Sequence, residues 1–386
     1  MASLIRDRSA STADMLEIFG DAFLLKAAYS FEAALARALG AEGLLSAGDV
    51  ALIVGACDAP NLDIAELADE AAHAGTLAIP LVQRLRDDVA SRSRTAAEQI
   101  HHGATSQDLA DTVLMLQTKQ ASMLIDAALS RIADALDRLA QTHIDTPMSG
   151  RTLLQPARPI TFGLKAANWL LGIDSAWTRF RNERDGALQL QFGGAAGTLA
   201  GFDGKGIAVA RRMADELGLS LPVMPWHARR DCIAGLGAAL AIVTGALGKV
   251  ARDISLLSQD EIAEAFEPKI AGRGGSSAMR HKRNATGCQI ALSAALRCPA
   301  LATSLISGMP QEHERGLGGW QAEAPVLADL FALTHGALDT MAVVLEGLAI
   351  DPQAMAHNLQ STGLGNDTAE AQLLVRRALE HHRKPR

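Results

Sequence analysis

Aromatic side chains are scarce: Phe, Trp and Tyr make up 4% of the 386 residues, with a single tyrosine. The interior must therefore be filled by aliphatic residues and by alanine, which at roughly a fifth of the chain is the strongest helix former and lets helices approach closely. No segment shows sustained period-2 alternation with β-branched enrichment, so strands are expected to be scarce. Cysteine is confined to Cys57, Cys232, Cys288 and Cys298 with no CxxC spacing, which suggests neither a disulfide framework nor a zinc knuckle. Excess positive charge is missing too. Lys+Arg number 36 against 43 Asp+Glu, a net charge of −7, so a role in coating nucleic acid is disfavoured. At the N-terminus Arg6, Asp7 and Arg8 interrupt any apolar run, which argues against a signal peptide and for a cytoplasmic protein. What is present, 48% hydrophobic and 20% charged residues, belongs to a folded, all-α protein.

From Asp108 to about Gln141, Leu109, Val113, Leu116, Leu124, Ala128, Ile132, Leu136 and Leu139 recur mostly at steps of three, four or eight, one face of a very long helix. Comparable runs cover Pro159 to about Phe192, Asp231 to about Glu267, Ala285 to Ser307 and Glu323 to Glu346, so a central five-helix bundle is expected over 108–346. Residues 1–107, broken by glycines and prolines, read as a smaller helical cap, and 347–386 as a short helical C-terminal segment with a basic tail. The uncharged stretch Cys232 to Gly248 would rise only about 25 Å as a helix, short of the roughly 30 Å hydrocarbon core. It reads as a helix buried in protein, of the kind that marks a subunit contact, and no membrane is implied.

Four polar clusters interrupt the helical text. His101-His102-Gly103-Ala104-Thr105-Ser106-Gln107-Asp108 opens the first long helix; Ser106 or Asp108 suits the N-cap, while free N–H groups and two hydroxyls there also suit a carboxylate. Gly150-Arg151-Thr152-Leu153-Leu154-Gln155-Pro156 brings an arginine to the mouth of the second long helix, as a solvated charge or as a ligand for an anion. Gly272-Arg273-Gly274-Gly275-Ser276-Ser277-Ala278-Met279-Arg280-His281-Lys282-Arg283-Asn284 is either a basic connector or a loop in which Lys282 and Asn284 offer a charge and an amide to one anion. The fourth, Met309-Pro310-Gln311-Glu312-His313-Glu314-Arg315-Gly316-Leu317-Gly318-Gly319-Trp320-Gln321, combines charge, indole and amide. The glycine run at 193–197 follows a helix rather than a strand, which does not support a nucleotide fingerprint. The His101-His102 and His381-His382 pairs lack metal-site spacing, and no metal is expected.

GGSSAMRHKRNA resembles the GSSxMPxKxNP signature of the fumarase and aspartase superfamily, and HHGATSQDLADT and GRTLLQPA are similar to its first and second signature regions. Within it, GRTLLQ, QFGGAAGTLA and MPQEHERGLGGWQAE resemble the bacterial 3-carboxy-cis,cis-muconate cycloisomerases. The resemblance implies a homotetramer with a central twenty-helix core, sites assembled from three subunits, no cofactor, and a small polyanionic muconate-type substrate. It implies that Ser276 is catalytic and that Lys282 and Asn284 hold substrate carboxylate. Thr105 and Ser106 would contact substrate through their hydroxyls. His101, Arg151, Thr152, Gln155, Ser277, Met279, Arg280 and Arg315 complete the expected substrate-contacting set.

Two departures bear on the chemistry. Leu153 stands where many superfamily lyases carry a histidine that protonates a departing amine. A carboxylate attacking within its own molecule is already ionised at neutral pH and needs no such group. Arg280 and Ala285 stand where the signature has prolines, and Arg280 makes the loop more cationic. The expected reaction is lactonisation of 3-carboxy-cis,cis-muconate to 4-carboxymuconolactone, the alternatives being the same closure of a sulfomuconate and β-elimination of an amino- or purine-linked succinate.

Overall fold

The computed structural model describes residues 4–58, 62–275, 279 and 283–384. Its elements run α1 (Leu4–Arg8), α2 (Ala13–Ile18), α3 (Asp21–Ala41), α4 (Ala47–Asp58), α5 (Ile64–Ala74), α6 (Ala78–Ala90), α7 (Arg94–Gln99), α8 (Ser106–Thr142), β1 (Pro147–Thr152) and β2 (Gln155–Thr161). They continue with α9 (Phe162–Ala187), α10 (Gly206–Leu217), α11 (Asp231–Leu257), β3 (Ala265–Phe266), α12 (Thr286–Ser307), α13 (Glu323–Glu346), β4 (Ala349–Ile350), α14 (Pro352–Ser361) and α15 (Ala369–His382). The helical runs read from apolar spacing are all present, and α13 matches its expected bounds. Two are shorter than read: α9 starts at Phe162 rather than Pro159, and α11 stops at Leu257 because the chain then turns back through Ser258–Ala263.

Helices α8, α9, α11, α12 and α13 run up and down against one another, and their shared core is aliphatic, with Leu129, Ile132, Leu136, Leu170, Ile173, Leu240, Val243, Leu247, Leu338 and Met341 all fully buried. Small residues set the spacing. A Cβ on Gly248 of α11 would come 2.7 Å from that of Ala295 on α12, so the glycine is what lets the two backbones approach so closely. Three helices, Asp231–Leu257, Thr286–Ser307 and Trp320–Glu346, are by length and composition long and apolar enough to cross a membrane. Cys232 to Gly248 is part of the 27-residue helix Asp231–Leu257, so its length does not keep it from spanning a hydrocarbon core. Burial separates the cases instead: 61% of the apolar window is buried in the first and third helices, but 28% in α12, whose Leu296 and Ile306 face outward.

Strands are scarce, as the sequence predicts: beside the two-residue pair β3 with β4, the described residues hold one antiparallel hairpin, β1 with β2. Its prolines 147, 156 and 159 and the irregularity at Gly150 hide the alternation, which a two-stranded ribbon with every strand at an edge tolerates. Arg151, Thr152 and Gln155 thus sit on a hairpin end rather than at a helix mouth. Thr152 pairs with Gln155 across a two-residue turn in which Leu153 (φ 51) and Leu154 (φ 66) are both left-handed, the type I′ pattern that favours Asn-Gly. Both leucines are exposed, at 96% and 76%. Replacing Leu153→Asn and Leu154→Gly together should relieve about 1–2 kcal/mol of backbone strain. Slower amide exchange across the hairpin would register it; unchanged exchange would mean the turn is not strained.

Candidate active site

The N-terminus of α8 is built around one carboxylate. Thr105, rather than Ser106 or Asp108, is the N-cap; Ser106 is the first helical residue, and Asp108 reaches back so that its Oδ2 accepts Thr105 N at 2.9 Å. The same carboxylate accepts Gly193 N at 3.1 Å and Gly194 N at 2.8 Å, and His227 Nε2 lies 2.7 Å from its Oδ1. Asp108 is fully buried. It ties the turn before α8 to the glycine run and to the segment before α11, which gives that run a structural reason. The turn interlocks further with the loop after Gly197: His102 stacks edge-on against Phe202, and its Nε2 is 2.8 Å from Gly201 O.

Below this junction lies a buried ion cluster. Arg230 donates from Nη1 and Nη2 to Asp111 at 2.8 Å each and from Nε to both carboxylate oxygens of Glu323, 3.0 and 3.1 Å away, while its guanidinium stacks 4.6 Å from the Trp226 ring. Gln107 and Gln191 donate to Asp111 Oδ2 at 3.2 and 3.0 Å. Burial opposes the Arg230 charge, but the two carboxylates outweigh it and push its pKa up; burial pushes that of Glu323 up as well, against the pull of Arg230. Because Glu323 is the first residue of α13, this cluster fixes the end of the 308–322 connection to α8. Arg315 on that connection donates to Thr105 Oγ1 at 2.6 Å, to Gln107 Oε1 at 3.3 Å and to Ser106 Oγ at 3.5 Å. A guanidinium, two hydroxyls and a helix N-terminus converge in one place, a combination suited to an anion. His101 lies in the turn that leads into this N-terminus, its Nδ1 2.6 Å from Glu32 Oε1.

Arg151 lies elsewhere. It donates to both oxygens of the buried Glu264, at 2.8 and 2.7 Å, and Asn358 Nδ2 donates to the same carboxylate at 2.9 Å. Its charge is therefore already balanced inside the chain, at the C-terminal end of α11. The described flanks of the signature loop are at that end as well. Asn284 N donates to Gly274 O at 2.8 Å, its Nδ2 donates to Gly275 O at 3.3 Å, and Glu267 accepts from Gly287 N and Cys288 N at the start of α12. Met279 is exposed. Ser276, Ser277, Arg280 and Lys282 lie outside the described residues. Arg230 precedes α11 and Glu264 follows it, so the two ends are about 40 Å apart at 1.5 Å per residue. One chain thus brings together His101, Thr105, Ser106 and Arg315, and separately Arg151, Thr152, Gln155 and Asn284, but not the two groups with each other.

Glu32 and Glu264 were missed from the sequence, since they lie 69 and 113 positions from their partners and carry no local motif. A cavity of about 780 Å³ between α3, α8 and α10 is lined by none of the sequence-identified site residues. Burial raises the pKa of all four thiols, to about 12 at Cys57 and about 11 at Cys232, so none is set up as a nucleophile. No metal-holding cluster of His, Cys, Asp and Glu occurs among the described residues.

Gly103 has φ 67, and a Cβ there would come 2.2 Å from Phe202 Cζ. Gly103→Ala should therefore cost about 2–4 kcal/mol in urea unfolding, from left-handed strain and overpacking together, whereas a loss under 1 kcal/mol would show that the interlock yields freely.

A model of the lyase family matches residues 7–299. The chain is 48% identical to a 3-carboxy-cis,cis-muconate cycloisomerase of Bradyrhizobium diazoefficiens, over 91% of its own length and 78% of the relative's. It is 42% identical to a nitrosuccinate lyase of Streptomyces davaonensis, over 89% and 74% respectively. The crystal structure of the 3-carboxy-cis,cis-muconate lactonizing enzyme from Pseudomonas putida aligns with a TM-score of 0.87 at 41% identity, covering 98% of this chain and 87% of that one. Matched over most of its length by sequence and by fold, the chain belongs to the lyase family, in the fumarase/aspartase superfamily.

Proposed function

We propose that the chain is a cofactor-independent cycloisomerase that closes 3-carboxy-cis,cis-muconate to 4-carboxymuconolactone, working as a cytoplasmic homotetramer. The observation that carries this reading is the convergence of Arg315, Thr105 and Ser106 at the α8 N-terminus, a donor set suited to a carboxylate, together with Leu153 at the hairpin tip where an amine-releasing lyase would need an imidazole. Relatives of that activity at 39–48% identity support it.

The steps follow from the substrate. One carboxylate oxygen adds to a carbon of the double bond, forming the C–O bond of the lactone, and the displaced electron pair moves into the neighbouring carboxylate as an aci-carboxylate. Lys282 and Asn284 stabilise that charge, and the Ser276 hydroxyl delivers a proton to carbon, then recovers one from solvent. Arg315, Thr105 and Ser106 hold a remaining carboxylate at the α8 N-terminus. A small substrate cannot span the 40 Å between the ends of one chain, so each site takes its two halves from different copies. The poorly buried apolar face of α12 supplies a surface on which copies meet.

A second reading, elimination from a substituted succinate, is favoured by the nitrosuccinate lyase at 42% identity. Loss of diene absorbance on adding carboxymuconate supports cyclisation, while no such loss together with fumarate release from nitrosuccinate supports elimination. Ser276→Ala should keep the helical circular dichroism spectrum and lower kcat by about 100- to 1000-fold, the usual cost of one such group; near wild-type lactonisation would remove the serine from the proton step. A comparison with sulfomuconate then tests whether the third anion is read, a large difference in kcat/KM meaning that it is.

A further inference from the structure

His101 is a non-glycine residue in the left-handed region, φ 62, a conformation that costs energy and persists where its surroundings enforce it. The enforcing partner is Glu32, in the middle of α3 and 2% exposed. A buried carboxylate is costly unless paired, and the partner of Glu32 is His101 Nδ1 at 2.6 Å. That contact consumes one ring nitrogen and fixes the plane of the ring. Nε2 has no partner among the described residues and is not sealed from solvent. It stands in the turn that leads directly into Thr105 and Ser106, where Arg315 already converges with the positive end of α8.

We propose that Glu32 is a positioning residue: it holds His101 as a charged donor whose Nε2–H binds an anionic group of the substrate beside Arg315 and the α8 N-terminus. The proposal deepens the polyanionic-substrate reading and rests on it for the identity of that group. The charged groups facing the ring are Glu32 on α3, Asp108 on α8 and Arg86 on α6. Burial works against the imidazolium and Arg86 adds to that, but the hydrogen bond and charge of Glu32, with a contribution from Asp108, leave the His101 pKa raised. The imidazolium is thus present below that raised pKa and lost as pH climbs through it. Without Glu32, burial and Arg86 oppose the imidazolium with only the smaller contribution of Asp108 to offset them.

Calorimetric titration with propane-1,2,3-tricarboxylate, which has no double bond to attack, separates binding from chemistry. Between pH 6.5 and 9, wild-type affinity should weaken as pH rises. Glu32→Gln should bind about tenfold more weakly at pH 6.5, the usual loss of one charge-assisted hydrogen bond, and converge with wild type at the alkaline end. A constant ratio at every pH, as lost packing would give, overturns the proposal, as does wild-type affinity without pH dependence or no binding at all. Should Glu32→Gln fail to fold, His101→Gln decides: a flat profile supports the proposal and a wild-type slope overturns it. Turnover of carboxymuconate is followed separately. Its absence while tricarboxylate binding keeps the expected profile would sink the cycloisomerase reading and leave the Glu32 assignment standing.

Discussion

One buried carboxylate holds this end of the molecule together. Asp108 accepts from Thr105 N, Gly193 N, Gly194 N and His227, which belong to three stretches of chain far apart in sequence. Desolvating such a group costs several kcal/mol and is tolerated only because its oxygens are filled by donors. The reward is geometric. The turn carrying His101, the helix N-terminus carrying Thr105 and Ser106, and the loop that clasps Phe202 become one rigid unit.

Arg230 extends that unit downward. Its two carboxylate partners, Asp111 and Glu323, belong to helices that start at the same end of the bundle, so the guanidinium sets the height of α13 relative to α8. The connection preceding α13 then delivers Arg315 to the α8 cap. A surface arginine on an unanchored loop would lose more conformational entropy on meeting an anion. Here the anchoring is built into the fold.

The long helices were legible because apolar spacing over many turns leaves few alternatives, and core residues such as Leu109, Val113, Ile132 and Leu136 lie where that spacing puts them. The hairpin was not, because Pro147, Pro156 and Pro159 suppress the alternation that marks a strand and its strands need no neighbours. The α8 start was read two residues late, at Asp108 rather than Ser106, and the cap itself was misassigned: Thr105, Ser106 and Asp108 can all serve as caps, and only Gly193 and Gly194, far along the chain, decide which role Asp108 takes. Polar motifs named Arg151 and Arg315 equally well. What distinguishes them, a buried counter-charge at Glu264 against hydroxyls at Thr105 and Ser106, depends on tertiary contacts that no local pattern encodes.

The bundle also acts as a ruler. Helices α8, α11 and α12 each run from one polar end to the other, so their residue count sets the stride between the two halves. Inserting or deleting a single turn would leave every side chain at both ends in its local setting, yet offset the halves by about 5.4 Å, well beyond the reach of a hydrogen bond. Interior stretches that touch nothing reactive are therefore constrained in length even where their identities are free to drift among small and aliphatic residues.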